Sequence, residues 1–155
     1  MAGLLYANEV GRLDTATTSA VTDKYVVLDA SGELKNIAAS TAGIGTVVVQ
    51  TTIADVSTAG SAWVAAPVAG DISLIQTIID GTIATSDATI TAEINTVAVT
   101  GSSITIEASG SGAGDVDSST PTAANTVAAG DSIEIITDGA STNAVSAVVN
   151  ITITL

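Results

Sequence analysis

The chain contains no cysteine and no histidine. Disulfides, thiolate metal sites and cysteine nucleophiles are therefore excluded together, and so is the imidazole that performs most acid–base catalysis near neutral pH. Phenylalanine is absent as well, and Tyr6, Tyr25 and Trp63 are the only aromatic residues. Any core must be assembled from Val, Ile, Leu and Ala. Positive charge is almost as scarce. Arg12, Lys24 and Lys35 are the only basic residues, and from Asn36 to Leu155 there is none, although 11 of the 16 acidic residues lie in that stretch. A surface of one sign, at a formal net charge of −13, repels phosphates and anionic lipid, because affinity for either comes chiefly from Lys and Arg. Nucleic acid and membrane are thus poor candidates as partners. No run approaches the roughly 20 apolar residues that cross a bilayer, and Met1 to Leu13 lacks a basic region followed by an apolar one. These features lead to the expectation of a protein made in the cytoplasm that stays soluble.

What the chain does have is β-branched and small residues. Hydrophobic residues make up 46% of its 155 positions, with 14 glycines and abundant threonine. Branched side chains lose rotamer freedom in a helix and pack well on a pleated sheet. From Thr46 onward a period of two dominates and predicts strands at Thr46–Ile53, Ala62–Ala66, Ile72–Ile79, Thr89–Asn95, Val97–Val99, Ile104–Ala108, Ser132–Thr137 and Val145–Leu155. Turn residues separate them, notably Gly70-Asp71, Asp80-Gly81, Thr100-Gly101, Gly130-Asp131 and Asp138-Gly139. An internal echo, Val68 to Ile75 against Ala128 to Ile135, suggests two similar strand-and-turn units placed in opposite sheets. The expected fold class is all-β: one β-sandwich or jelly-roll-like domain over residues 46–155. Ser109 to Asn125, rich in Ser, Gly, Ala and Asp, is expected to be a surface loop.

Residues 1–45 change character every few positions. Their one clear unit is a hairpin, with Tyr25 to Leu28 going out, Asp29 to Gly32 turning, and Glu33 to Ile37 returning. A lone hairpin is marginal in water, so this segment is expected to be an extended N-terminal arm and linker that gains order against a partner. It carries every positive charge of the chain, which makes Arg12, Lys24, Tyr25 and Lys35 the candidate contact residues.

With only carboxylates, hydroxyls and backbone groups available from residue 46 onward, acid–base and nucleophilic catalysis have little to work with. Hydrolysis of glycosides would need two acids across a cleft with an aromatic platform nearby, and Trp63 is the sole platform. Its neighbours Ala62 and Val64 place it, in this reading, in the core or in a subunit contact. No catalytic residues and no cofactor are expected. The alternating Asp115, Asp117 and Ser119 form a weak candidate for calcium, since a hard cation prefers such oxygen donors. The pattern departs from the EF-hand loop at Thr120 and Thr126, so a solvated acidic loop is the simpler expectation. Asp71 and Asp131 each follow a glycine and read as turn residues. Threonines such as Thr89 and Thr91 follow from strand propensity. A mean hydropathy of +0.56 with only 12% charged residues leaves more apolar surface than a monomer of this size needs, which points to burial between subunits.

Several stretches resemble small structural proteins of tailed bacteriophages. They are Pro67 to Ile72, Ala88 to Asn95, Gly114 to Asp117 with Pro121 to Asn125, Ala129 to Asp131, and Thr137 to Gly139, and the likeness spans about two thirds of the chain. They are turn-and-strand patterns, without a catalytic signature. The resemblance implies a capsid decoration, or cement, protein: a homotrimer on the outer capsid surface, with the major capsid protein as its partner and an arm that clamps neighbouring capsomers and stabilises the expanded shell. Another virion part, such as a head fibre, tail or baseplate module, would share the composition. A carbohydrate-binding adhesion module is the alternative from a different class, and it predicts an exposed aromatic cleft around Trp63, or calcium at Asp115 and Asp117.

Overall fold

The structure is a computed structural model that describes residues 24–28, 34–38 and 45–155. The chain divides into two units, Met1–Ile44 and Gly45–Leu155. In the first, β1 (Lys24–Leu28) and β2 (Leu34–Ala38) form an antiparallel hairpin with Lys24 opposite Ala38 and Leu28 opposite Leu34. The expected hairpin is therefore present, its first strand starting one residue earlier and its second displaced by one residue. Arg12 and the rest of the arm lie outside the described residues.

The second unit is a sandwich of two antiparallel sheets, and no helix occurs among the described residues. One sheet runs in the order β3 (Thr46–Ile53), β12 (Ala147–Thr154), β5 (Gly70–Ile79), β9 (Val116–Ser119). The other runs β4 (Gly60–Ala65), β11 (Ser132–Thr137), β6 (Ala88–Ile94), β8 (Ile104–Ile106). Two short strands complete them, β7 (Val97–Ala98) on β6 and β10 (Thr126–Val127) on β5. Among the eight longer strands the first pairs with the last, the second with the seventh, the third with the sixth and the fourth with the fifth. That nesting is one long hairpin rolled on itself, the jelly-roll arrangement of two Greek keys. The two echo units do fall in opposite sheets, on β5 and β11.

The interior follows from the period of two. β12 buries Ala147, Val149, Ile151 and Ile153 completely while its alternate residues face out, and β11 does the same with Ile133 and Ile135. Each fully buried branched side chain contributes roughly 1.5–3 kcal/mol. The core contains no aromatic residue at all, so its volume is filled by many isoleucines interleaved from both sheets. A bulge between Thr152 and Ile153 lets β5 and β12 keep their inward faces aligned. Beside it Gly70 lies so close to the Thr154 carbonyl that a β-carbon there would collide with it.

Two expectations change. Ser109–Asn125 is not purely a loop, because it carries β9 and an isolated bridge from Ala123 to Thr100. β9 is held by backbone pairing to the free edge of β5, which needs no apolar alternation. β10 has too few residues to show a period. Asp71 lies within β5, where its carboxylate accepts a hydrogen bond from Thr126, whereas Asp131 does form a turn, accepting from the Ala128 amide at 2.7 Å.

Candidate functional site

Three regions of the jelly roll carry the polar chemistry. The first is a cleft of about 270 Å³ between β5, β8 and β9, lined by Glu107, Ser111, Asp115 and Asp117 among others. Asp117 sits opposite the buried Thr77 on the inward side of β9. Burial, then the charges of Asp115 and Glu107, push its carboxyl above the usual aspartate value. Asp115 is tied up locally, accepting from the Gly112 amide at 2.6 Å. Ser119 donates to the Ser102 carbonyl at 3.0 Å, away from both acids. Of the candidate calcium donors, Asp117 and Ser119 stand on β9 and Asp115 just ahead of it, and among the described residues no three acidic side chains gather as a metal would require.

The second region is the outer face of the sheet containing β4, β11 and β6. Cross-strand register aligns Trp63, Glu134 and Glu93 in one row. Trp63 is 61% exposed, so it is not a core residue. It occupies an outward position of β4, while the adjacent Ala62 and Val64 pack against the core. An apolar run next to a strand edge does not reveal which of its residues point outward, and of the two places expected for Trp63, core or subunit contact, its exposure excludes the core. Glu134 and Glu93 are directly opposite each other, a like-charge pair that weakens the sheet slightly. No base stands beside them within residues 45–155, since that stretch contains none.

The third region is the outer face of the other sheet. Its rows are Val116, Ile78, Val148 and Thr52; then Ser118, Gln76, Asn150 and Gln50; then Leu74, Thr152 and Val48. None of these is charged. Gln50 donates to the Asn150 side chain at 2.9 Å, so part of the amide row is hydrogen-bonded across strands. Acids appear only at the two ends of β5, Asp71 bonded to Thr126 and Asp80 to Ser146.

No family model and no curated protein matches the chain. Among solved structures, CsCBM6-3 from Clostridium stercorarium, in complex with cellobiose, is similar over 90% of this chain and 88% of that one, at 12% sequence identity and a TM-score of 0.44.

The half-buried acid and the aromatic residue are on different strands at opposite sides of the sandwich, and the carboxylates beside Trp63 are Glu134 and Glu93 on the outer sheet face. The raised carboxyl of Asp117 belongs to a cleft with no aromatic lining, and Trp63 lies on β4, the far edge of the other sheet. The contact candidates Lys24 and Tyr25 lie on β1 and Lys35 on β2. Sequence reasoning did not foresee the uncharged outer face. Its signal was nonetheless present, since Thr46–Ile53 and Ala147–Thr154 contain no charged residue at outward or inward positions.

Proposed function

We propose that the chain is a non-enzymatic structural protein of a tailed-phage virion, a decoration protein that binds the outer surface of the head as a trimer and stabilises the expanded shell. The observation that carries this reading is the segregation of charge. All three basic residues belong to Met1–Ile44, while Gly45–Leu155 holds 11 carboxylates and no base. The arm, with Arg12, Lys24 and Lys35, engages the major capsid protein, and the acidic jelly roll keeps decorated particles apart in solution. Three arms on one trimer multiply individually weak contacts through effective concentration. The phage resemblance supports the same assignment.

A second reading, a carbohydrate-binding adhesion module, is favoured by one observation, the exposure of Trp63 beside Glu134 and Glu93. An indole face stacks on a sugar ring, and two carboxylates can accept hydrogen bonds from its hydroxyls.

Cosedimentation with expanded, undecorated shells of the cognate capsid protein separates the two. The full chain is expected to pellet with shells, and the triple variant Arg12→Glu, Lys24→Glu, Lys35→Glu to remain in the supernatant. A parent chain that ignores shells, yet binds glycans in a way that Trp63→Ala abolishes, would replace the decoration reading with the adhesion one.

A further inference from the structure

The two lateral sides of the jelly roll are finished differently. On one side the long strands β5 and β6 are covered by short ones, β9 and β10 on β5, β7 and β8 on β6. Short edge strands are a common protection against unwanted pairing. On the other side the sheets end in β3 and β4, which pack against each other across the sandwich and have no second strand partner among the described residues. β3 is eight residues long and β4 six. Their sequences, Thr-Val-Val-Val-Gln-Thr-Thr-Ile and Gly-Ser-Ala-Trp-Val-Ala, contain no charge and no proline, so neither of these two devices blocks the edges.

The same side is apolar. Val48 on the outward face of β3 is 59% exposed, Trp63 on the outward face of β4 61%, and Leu155 60%, three of the six exposed large hydrophobic residues among the described ones. Leu155 joins this side because its amide bonds to the Gly45 carbonyl, just ahead of β3. Even the inward residues Val47 and Val49 stay half-buried, where their counterparts on β12 are fully buried.

We propose that copies of this chain associate with one another through the side formed by β3 and β4. The occupant follows from charge. A second jelly roll brings 11 carboxylates and no base, so two copies repel wherever acidic faces meet. They approach at least cost where neither presents a carboxylate, and the strands of this side satisfy that, Asp55 being confined to the connection between them and Glu134 to the neighbouring strand. Added strand pairing and burial of Val48 and Trp63 then supply the attraction. The inference deepens the decoration reading by naming the surface at which copies meet, and the self-association it describes does not require a shell.

The test is light scattering on the full chain, read together with the emission of Trp63, the only tryptophan. The parent is expected to have a mass that is a multiple of 15.1 kDa and a blue-shifted emission that moves to the red on dilution. Val48→Asp and Gln50→Glu, both outward-facing, are expected to reduce the mass to a single chain and to red-shift Trp63 at all concentrations, with unchanged far-ultraviolet circular dichroism. Val116→Asp, on the protected side, is expected to leave mass and emission as they are. A parent of single-chain mass, or an oligomer whose mass and emission survive Val48→Asp and Gln50→Glu together, overturns the proposal. An oligomer sensitive to Val48→Asp that never pellets with shells sinks the decoration reading alone.

Discussion

At the scale of single residues, four carboxylates act on stability in opposite directions. Asp55 and Asp131 are held below the usual aspartate value, Asp55 chiefly by hydrogen bonds from Ser57 and Asp131 by the Ala128 amide and then Asn95. For Asp138, burial pushes upward but is outweighed by the Thr89 and Ala140 amides. A lowered folded pKa contributes stability above the ordinary value of 3.8, which is lost as pH falls through the folded value. Asp117 is the reverse case. Its raised pKa means that the folded state binds the proton more tightly than the unfolded chain, so ionisation costs stability as pH rises through the folded value. Asp117→Asn is therefore expected to melt at a higher temperature than the parent at neutral pH, with the difference fading as pH falls toward 3.8. Melting curves measured across that range check this, and a variant less stable than the parent at neutral pH would count against it.

At the scale of elements, the β6–β7 hairpin shows how a turn can be at odds with its residues. Asn95 and Thr96 both have positive φ, 48° and 71°, in a two-residue loop between Ile94 and Val97. Such a turn favours Asn followed by Gly, and a β-branched residue at the second position is strained. Asn95 also accepts a hydrogen bond from the Ser132 amide at 3.1 Å, which fixes the first position. Thr96→Gly is expected to stabilise the fold by about 0.5–1 kcal/mol, measured by denaturant titration; a loss of stability would show that Thr96 makes contacts worth more than the strain. The long strands were legible in the sequence because alternation of two is forced wherever one face is buried. Thr46–Ile53 and Ser132–Thr137 match to the residue. β9 and β10 were not legible, because an edge strand held by backbone bonds can place Asp117 and Ser119 where alternation would demand apolar groups. Nor could the sequence show which way Trp63 points, since Ala62, Trp63 and Val64 are all apolar and only pairing to β11 sets their faces.

At the scale of the whole molecule, the proposed role is that of a protein that acts by being held in place. The jelly roll is sealed by short strands on one side and left open, uncharged and apolar on the other, while every basic residue is reserved for the N-terminal unit. A molecule so divided suits assembly through its jelly roll and attachment through its arm. Electron cryo-microscopy of expanded shells incubated with the full chain is the most direct test of that role. The expected image has trimeric, jelly-roll-sized density on the outer surface at the three-fold and quasi-three-fold positions, absent from shells incubated with the Arg12→Glu, Lys24→Glu, Lys35→Glu variant. Bare shells at saturating protein, or density confined to the tail of complete virions, would show that the protein does not decorate the head.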